Sequence, residues 1–351
     1  MAYTTIDNPV EYFSATLYTA NGTARTIATG HQSDWVWLKR RDGAAGHRIA
    51  DSVRGANKLL YSDSSTSEQS ASNTITGFVS TGFTLGDDSG GYDVNTSSNT
   101  MVAWSWKAGT SFTNDASATG VGSIDSAGSV NTDAGFSITS YTGTGSAATV
   151  AHGLGVVPSV YILKNRTSTS NWFVYHKSTG ATKSLFLDGS EAGITSSGYF
   201  NNTEPTSSVF SIGSESDLSG SSQNMIAYCF AEKKGYSKFS SFVGNGNADG
   251  PFLFCGFKPA FLIVKNTSAN GFNWEIRDNK RDPHNVVDHR IYADTAGADV
   301  SGNPEFDFVS NGIKVRGNGN NYNTSGSTYI FMAFAESPFV NSAGAVPNNA
   351  R

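Results

Sequence analysis

The sequence predicts an all-β protein made of three tandem homologous modules, each a β-sandwich of the jelly-roll or lectin-like kind. Two observations predict this class: a pattern of roughly a hundred residues that recurs three times, and a composition suited to short strands. Charged residues make up only 15% of the 351 residues, and Gly, Ser, Thr and Asn are abundant. These residues favour turns, because Gly and Asn tolerate positive φ and Ser and Thr bond to nearby backbone.

Each module begins with a strand that starts at Phe or Tyr and leads to a second strand ending in Lys. The distances from Phe13, Phe136 and Tyr236 to these lysines are 26, 28 and 29 residues. Agreement of this kind at three places indicates a tandem repeat rather than chance. The lysine-ending strands are Trp35–Lys39, Val160–Lys164 and Phe261–Lys265.

The later parts of the modules also correspond. An apolar run ending in Asp follows each lysine strand and supplies Asp63, Asp188 and Asp294. The closing strand of each module alternates large and small residues, which predicts one bulky face and one face pressed close to an opposing sheet. Its columns are Trp104/Tyr228/Met332, Ser105/Cys229/Ala333 and Trp106/Phe230/Phe334.

The repeat sets the predicted domain boundaries. The segment between the first two modules is rich in Gly, Ser, Thr and Asn and poor in large apolar residues, which predicts a flexible linker. A compact pseudo-threefold body and a short rod both fit this order. The predicted segments are module 1 (1–107), linker (108–134), module 2 (135–232), module 3 (233–340) and a C-terminal tail (341–351).

Charge and hydropathy exclude several classes of partner. The net charge is −5 and the one compact basic group, Lys39-Arg40-Arg41, is short, so nucleic-acid binding is not expected. No apolar run reaches the length of a membrane span and no signal peptide is visible, so a soluble protein made in a cytoplasm is expected. The two cysteines, Cys229 and Cys255, permit at most one bridge and are interpreted as small buried residues.

Catalytic patterns are absent from the sequence. None of the six histidines stands in a metalloprotease-like HExxH, and no Gly-x-Ser-x-Gly elbow or phosphate-binding Gly loop occurs. The recurring Asp residues favour a structural turn, since Asp bonds readily to local backbone. Asp87–Asp93 has the oxygen-rich character of a calcium loop, but a solvated hairpin loop explains it as well. The expectation is therefore no catalytic residue, no metal and no cofactor.

Two groups of residues are candidates for contact with a glycan or a protein partner. The loop Arg277–His284 reads as an insertion with mixed charges, and functional residues concentrate on such loops. Trp172 and Trp274 share one column of the repeat, where they could stack on sugars or fill the core. The candidate residues are Arg277, Asp278, Lys280, Arg281, His284, Trp172 and Trp274.

Several motifs together carry a family resemblance. They are the opening Phe136–Gly145, the approach from His152-Gly153-Leu154-Gly155 to Pro158, the segment Tyr228–Phe239 and the ending Phe331–Phe339. With these motifs the chain, from about Tyr3 to Arg351, resembles uncharacterised repeat-domain virion structural or tail-fibre-like proteins of marine tailed bacteriophages.

The resemblance implies a place, the virion, and no catalytic residues to carry over. The leading hypothesis is a non-enzymatic virion surface protein, a tail-fibre or spike component or a head-surface fibre or decoration, active in assembly and host attachment. Its expected partners are other tail or capsid proteins, a host surface glycan and further copies of itself, with a trimer as one option. Attachment would take place through a module face or through the N-terminal arm of about a dozen residues.

Two alternatives stay open. A lectin-type adhesin would bind host polysaccharide, with tandem weak sites gaining by avidity. A polysaccharide-degrading spike would need two facing carboxylates.

Overall fold

A computed structural model describes residues 3–302 and 304–346, and the all-β prediction is confirmed. The strands fall into three groups with the same strand order, which we call the first, second and third units. In the described part of the chain, the helices are a 3-10 turn at Pro9–Glu11 and three α-helices of four residues. The predicted tail beyond residue 346, and Met1 and Ala2 of the first module, lie outside the described residues.

The first unit contains a main sheet of order β1-β9-β3-β4 and a separate second sheet of order β2-β8-β7. Its strands are β1 (Phe13–Thr19), β2 (Arg25–Ala28), β3 (Trp35–Arg40), β4 (Arg48–Asp51), β5 (Lys58–Leu59), β6 (Gln69–Ser70), β7 (Ile75–Val79), β8 (Gly82–Leu85) and β9 (Thr100–Trp106).

The second unit begins with a hairpin and continues with the same order. Its elements are β10 (Thr110–Asn114), α1 (Ala116–Thr119), β11 (Ser126–Asn131), β12 (Phe136–Thr142), β13 (Ala148–Ala151), β14 (Val160–Asn165), β15 (Trp172–His176), β16 (Lys183–Phe186), β17 (Ile194–Thr195), α2 (Ser197–Phe200), β18 (Val209–Ile212), α3 (Ser216–Ser219) and β19 (Asn224–Phe230). The main sheet has the order β10-β11-β12-β19-β14-β15-β16-β17, and β13 pairs with β18 in the second sheet.

The third unit has a main sheet of order β20-β27-β22-β23-β24 and a second sheet of order β21-β26-β25. Its strands are β20 (Ser237–Val243), β21 (Asp249–Phe254), β22 (Phe257–Asn266), β23 (Glu275–Asp278), β24 (Ile291–Tyr292), β25 (Phe306–Val309), β26 (Gly312–Arg316) and β27 (Thr328–Pro338).

The segment predicted as a flexible linker, 108–134, is a β-hairpin, so that prediction is wrong. Strands β10 and β11 pair over Thr110–Asn114, and β11 pairs with β12, which extends the second unit's sheet by two strands. Backbone pairing requires no large side chains, and small residues permit close approach: a Cβ on Gly128 would lie 1.9 Å from the Ile138 carbonyl oxygen. The low hydrophobicity of segment 108–134 is therefore that of exposed strands at a sheet edge and not that of a flexible linker.

The inner faces of the three main sheets meet in one aromatic core. Trp35 of the first unit stacks on Tyr228 of the second, with ring centroids 4.6 Å apart. Trp106 meets Phe261 of the third unit edge to face at 5.8 Å. Such pairs contribute about 0.5–1.5 kcal/mol each beyond the area they bury. Because every unit contributes to this core, the units form a closed body and not a rod.

The alternation predicted for the closing strands β9, β19 and β27 decides which face meets the shared core. Their large residues, such as Trp104 and Phe230, belong to the central core. Their small residues face the core between the two sheets of one unit, where Cys229 and Ala333 are completely buried. Cys229 and Cys255 are both free and buried, in agreement with their interpretation as small core residues.

The N-terminal arm packs on the third unit, which argues against a role as a free attachment segment. Ile6 belongs to the central core and Thr4 is buried. The Tyr3 hydroxyl donates a hydrogen bond of 2.9 Å to the carbonyl oxygen of Gly256.

Candidate functional site

The three boundaries between units are held by the residues that recur in the sequence. We call the boundary between the first and second units the first seam, that between the second and third the second seam, and that between the third and first the third seam. At each seam an aromatic ring nitrogen lies at hydrogen-bond distance from a carbonyl oxygen of the neighbouring unit. The contacts are Trp172 Nε1 to Tyr61 (2.8 Å), Trp274 Nε1 to Phe186 (2.7 Å) and His47 Nε2 to Tyr292 (2.9 Å).

The recurring aspartates orient these rings, as a structural turn residue does. The carboxylate of Asp188 accepts a hydrogen bond from the backbone N–H of Trp172, and Asp294 does the same for Trp274. In the first unit Asp63 accepts from the backbone of His47. Burial raises the pKa of Asp188 and of Asp294 to about 6.

The recurring lysines cross the same seams. Lys164 donates to the carbonyl oxygen of Ser65 at 2.8 Å, and burial lowers the pKa of this lysine to about 8. A buried ammonium is tolerated where carbonyl oxygens replace water as hydrogen-bond acceptors. The corresponding bonds are Lys39 to Ala296 (3.3 Å) and Lys265 to Gly189 (3.4 Å).

Two of the seams carry in addition a chain of arginine and carboxylate groups, which we call the ladder. At the first seam Glu68 accepts from Arg54 of its own unit at 3.2 Å and from Arg166 of the second unit at 2.9 Å. Arg54 also pairs with the fully buried Asp51, which accepts the hydroxyl of Tyr228 across the seam at 2.7 Å. Each charge thus has a partner, as burial demands.

The third seam has the same ladder in the same positions. Asp299 accepts from Arg281 at 2.9 Å and from Arg41 of the first unit at 3.0 Å. Arg281 pairs with Asp278, which accepts the indole N–H of Trp104 across the seam at 3.0 Å.

In the part of the chain that the structure describes, the second seam has no such ladder. His176 of the second unit occupies the position that Asp51 and Asp278 occupy in the other two units. In the strand pairing, each of these three residues lies opposite the residue that comes four positions before the recurring lysine of its unit. Met332 takes the position of the donors Trp104 and Tyr228, and a methionine has no hydrogen to donate. At this seam both the aspartate acceptor and the aromatic donor of the other seams are thus replaced, by His176 and Met332 respectively.

Both tryptophans proposed as glycan contacts are inaccessible. Trp172 is 0% and Trp274 2% exposed, and both belong to the central core. This burial argues against the predicted glycan contact and favours the core alternative, because a buried indole presents no face to a sugar.

The charged loop Arg277–His284 divides into buried and exposed parts. Arg277 is fully buried between Glu275 and Glu305, and Asp278 and Arg281 form the third-seam ladder. These three residues are thus unavailable to a partner, against the contact predicted for them. Lys280 and His284 are exposed, and their contact role stays a prediction.

Glu305 has the most strongly raised carboxyl pKa of the described part of the chain. Burial and the nearby Glu275 raise this pKa to about 9. A carboxyl group of this kind is a candidate general acid where it faces a cleft. Glu305 is only 5% exposed and contacts Arg277 and Arg290, so its environment is that of a structural network.

A wide cleft lies between the 110–131 hairpin and the end of the first seam, and we call it the hairpin cleft. Its volume is about 790 Å³, and its walls combine polar side chains with apolar ones such as Ile124 and Tyr141. The lining includes Asn114, Asp115, Ser123, Asp125, Thr142, Arg166 and Asn224. Sequence reasoning missed it because one of its walls belongs to the supposed linker, while the other is formed by strands of the second unit.

The hairpin cleft offers hydrogen-bonding chemistry. Asp115 accepts from the backbone of Ser117 and Ala118 and so caps α1, and Asp125 accepts from the N–H of Ala116. Hydrogen bonds from Ser117 and Ala118 lower the pKa of Asp115. A lowered pKa suits an acceptor for sugar hydroxyls better than a general acid, which needs a raised one.

Within 3–302 and 304–346 no group of three or more His, Cys, Asp and Glu side chains is placed to hold a metal ion. The Asp87–Asp93 loop is organised by Asp88, whose carboxylate accepts from the backbone of Tyr92, Val94 and Asn95. No helix in the described ranges has the length and apolar character to cross a membrane.

Together these features define an all-β protein in which three sandwich-like units close around one aromatic core, with the hairpin cleft beside the first seam. The chain matches the family described as "Domain of unknown function (DUF7483)" over residues 8–338 and belongs to that family. No curated protein matches the sequence.

Proposed function

We propose that the chain is a non-enzymatic surface structural protein of a bacteriophage particle, a tail-fibre or spike component or a head-surface fibre or decoration, that contributes to assembly and host attachment. The observation that supports this most directly is that the recurring polar residues form contacts between the units. Lys164, Trp172 and Asp188 and their counterparts join the units instead of lining a cleft. A body held in this way suits mechanical and adhesive roles.

A pair of exposed aromatic residues supports protein contacts in assembly. Phe252 is 47% and Phe254 58% exposed, and both lie on β21, an edge strand of the third unit's second sheet. Aromatic residues are enriched at the centres of protein interfaces, and an edge strand offers unpaired backbone groups. We assign this edge to contact with another virion protein or a second copy of the chain.

Purified particles test the proposal. Mass spectrometry of density-purified virions should find the chain, and gold-labelled antibodies should place it on the tail or head surface. Particles carrying Phe252→Ser and Phe254→Ser should hold less of it than particles carrying Leu17→Ser, a change at another exposed apolar residue. Absence of the chain from washed particles would overturn the proposal.

A lectin-type adhesin is the second candidate, and the hairpin cleft favours it. Polar side chains converging in a cleft of about 790 Å³ suit a saccharide, since sugar sites present carboxylate, amide and hydroxyl groups to the ligand. The chain, multimerised to gain avidity, should bind host polysaccharide on a glycan array. Asn224→Ala should weaken binding, while Thr100→Ala, at the matching position of β9, should not. Release of reducing sugar would instead indicate the polysaccharide-degrading alternative.

A further inference from the structure

The three seams present three equivalent positions for the central carboxylate of a ladder. Glu68 and Asp299 lie five residues after Asp63 and Asp294, and each accepts from two guanidinium groups. The residue five after Asp188 is Gly193. The second seam therefore lacks the carboxylate that the other two seams hold at this place.

Both guanidinium partners are also missing at the second seam. Thr179 stands where the other units have Arg54 and Arg281, three residues after His176. Thr267 stands where they have Arg166 and Arg41, two residues after the recurring lysine. Removal of three long side chains leaves room for a ligand.

That room is a crevice of about 370 Å³ with a hydroxyl-rich lining. Its size falls within the roughly 300–1,000 Å³ usual for small-molecule sites. The lining residues are Ser178, Thr179, Lys183, Gly193, Thr267, Ser268 and Thr328.

Lys183 gives the crevice a positive charge. In the matching position of the first unit, Lys58 donates to the hydroxyl of Ser70 at 2.8 Å. In the third unit His289 bonds to Asp282 at 2.7 Å. Among the described residues, no carboxylate lies within 4.0 Å of the Lys183 ammonium. An ammonium beside several hydroxyl donors favours a ligand with negatively charged oxygens.

We propose that the second-seam crevice binds an oxyanion, a carboxylate, sulfate or phosphate group, at the place that Glu68 and Asp299 occupy in the other seams. The group comes from a free anion or from an acidic polysaccharide, and in both cases Lys183 and the hydroxyls recognise the same chemistry. The inference rests on the comparison of the seams alone and is independent of the virion proposal.

Calorimetric titration of the full chain tests the site. The probes are sodium sulfate, sodium phosphate and a uronic-acid oligosaccharide, each at constant ionic strength to hold screening fixed. At least one probe should bind with one site per chain. Lys183→Ala should weaken this binding about tenfold or more, as expected for loss of a charge-assisted contact. The matched Lys58→Ala variant should bind as the unaltered chain does.

A second variant places a carboxylate back in the crevice. Gly193→Glu copies the first unit, and a Cβ at Gly193 would meet its nearest neighbours at 3.5–3.7 Å, so the fold should accept it. An unchanged circular dichroism spectrum will check this. Binding should be lost because the new carboxylate occupies the site and repels anions.

The outcomes separate the sources of the anion. Binding of the oligosaccharide but not of sulfate or phosphate identifies an acidic glycan, and binding of the inorganic anions identifies a free-anion site. Binding that survives both Lys183→Ala and Gly193→Glu lies elsewhere and overturns the proposal. Failure of all three probes to bind overturns it as well.

Discussion

The first and second seams solve one packing problem in two ways. Both keep the ring nitrogen that bonds to the neighbouring carbonyl, through Trp172 at the first and Trp274 at the second. Only the first adds the ladder of Arg54, Glu68 and Arg166. The comparison teaches that closure of the three units depends on the shared core and the ring contacts, and that the ladder is an addition.

Physical chemistry explains why the ladder is dispensable as a whole but not in part. Taking ions out of water costs several kcal/mol, which their mutual attraction only roughly offsets. Replacing a complete network by small or neutral residues is therefore often nearly neutral, whereas removal of one member leaves an unpaired buried charge. At the second seam all members have changed together.

Breaking the ladder at a single residue should have the largest effect. Arg54→Ala and Arg281→Ala leave Asp51 and Asp278 buried without their guanidinium partner, and each should lower the free energy of unfolding by about 3–5 kcal/mol. Thr179→Ala, at the same place in the second unit, should cost less than about 1 kcal/mol. Urea unfolding measures all three, and equal losses would refute the distinction between the seams.

Acid should act on the third seam through His47. Its Nδ1 accepts the indole N–H of Trp37 at 2.7 Å, so Nε2 carries the proton and donates to Tyr292. Burial lowers the pKa of His47 to about 3. Between that value and 6.5 the unfolded chain binds more protons, so this residue's contribution to stability is lost as the pH falls.

His47→Gln isolates that contribution. Between pH 6.5 and 4 the unfolding free energy of the unaltered chain should fall by roughly 2–3 kcal/mol more than that of the variant. Asp188 and Asp294, whose pKa values are raised, titrate in the opposite sense but are present in both chains. Parallel pH profiles for the two proteins would show that His47 is not the sensitive group.

The ring contacts at the first and second seams should contribute about equally. Trp172→Phe and Trp274→Phe each remove one hydrogen bond to a carbonyl oxygen that keeps a second donor, the N–H of Ser64 or of Gly189, and the loss of this bond should cost about 0.5–1.5 kcal/mol. Urea unfolding of both variants measures the loss. A cost at the second seam well above that at the first would mean that Trp274 compensates there for the missing ladder.

The smallest expected effect is a gain at Gly193. Gly193→Ala should stabilise the fold by about 0.4–1 kcal/mol, because alanine has less freedom in the unfolded chain and its methyl group fits. At Gly312 a Cβ would lie 2.2 Å from the Leu253 carbonyl oxygen, so Gly312→Ala should be destabilising. Thermal unfolding distinguishes the two variants. A lower stability of Gly193→Ala than of the unaltered chain would mean that the crevice has no room for the methyl group.

The all-β class and the alternation of the closing strands could be predicted because both are local. A period of two along β19 fixes which side chains share a face, whatever the rest of the chain does. The role of Asp188 as a structural residue could likewise be predicted from the habit of Asp in turns.

Contacts between distant parts of the chain could not be predicted. Nothing local shows that Trp172 meets the backbone at Tyr61, 111 residues away, or that Arg166 meets Glu68. The hairpin of 110–131 was missed because edge strands can pair through backbone alone, which leaves no hydrophobic signal in the sequence. The hairpin cleft was missed with it.

Closure of three similar units within one polypeptide has a consequence for specialisation. In a symmetric homotrimer any substitution appears three times, so a binding pocket opened at one interface would weaken all of them. Here Gly193 replaces a carboxylate at one seam while Glu68 and Asp299 keep their places at the others. The single chain can thus open a crevice at one interface while the ladders at the other two stay fully paired.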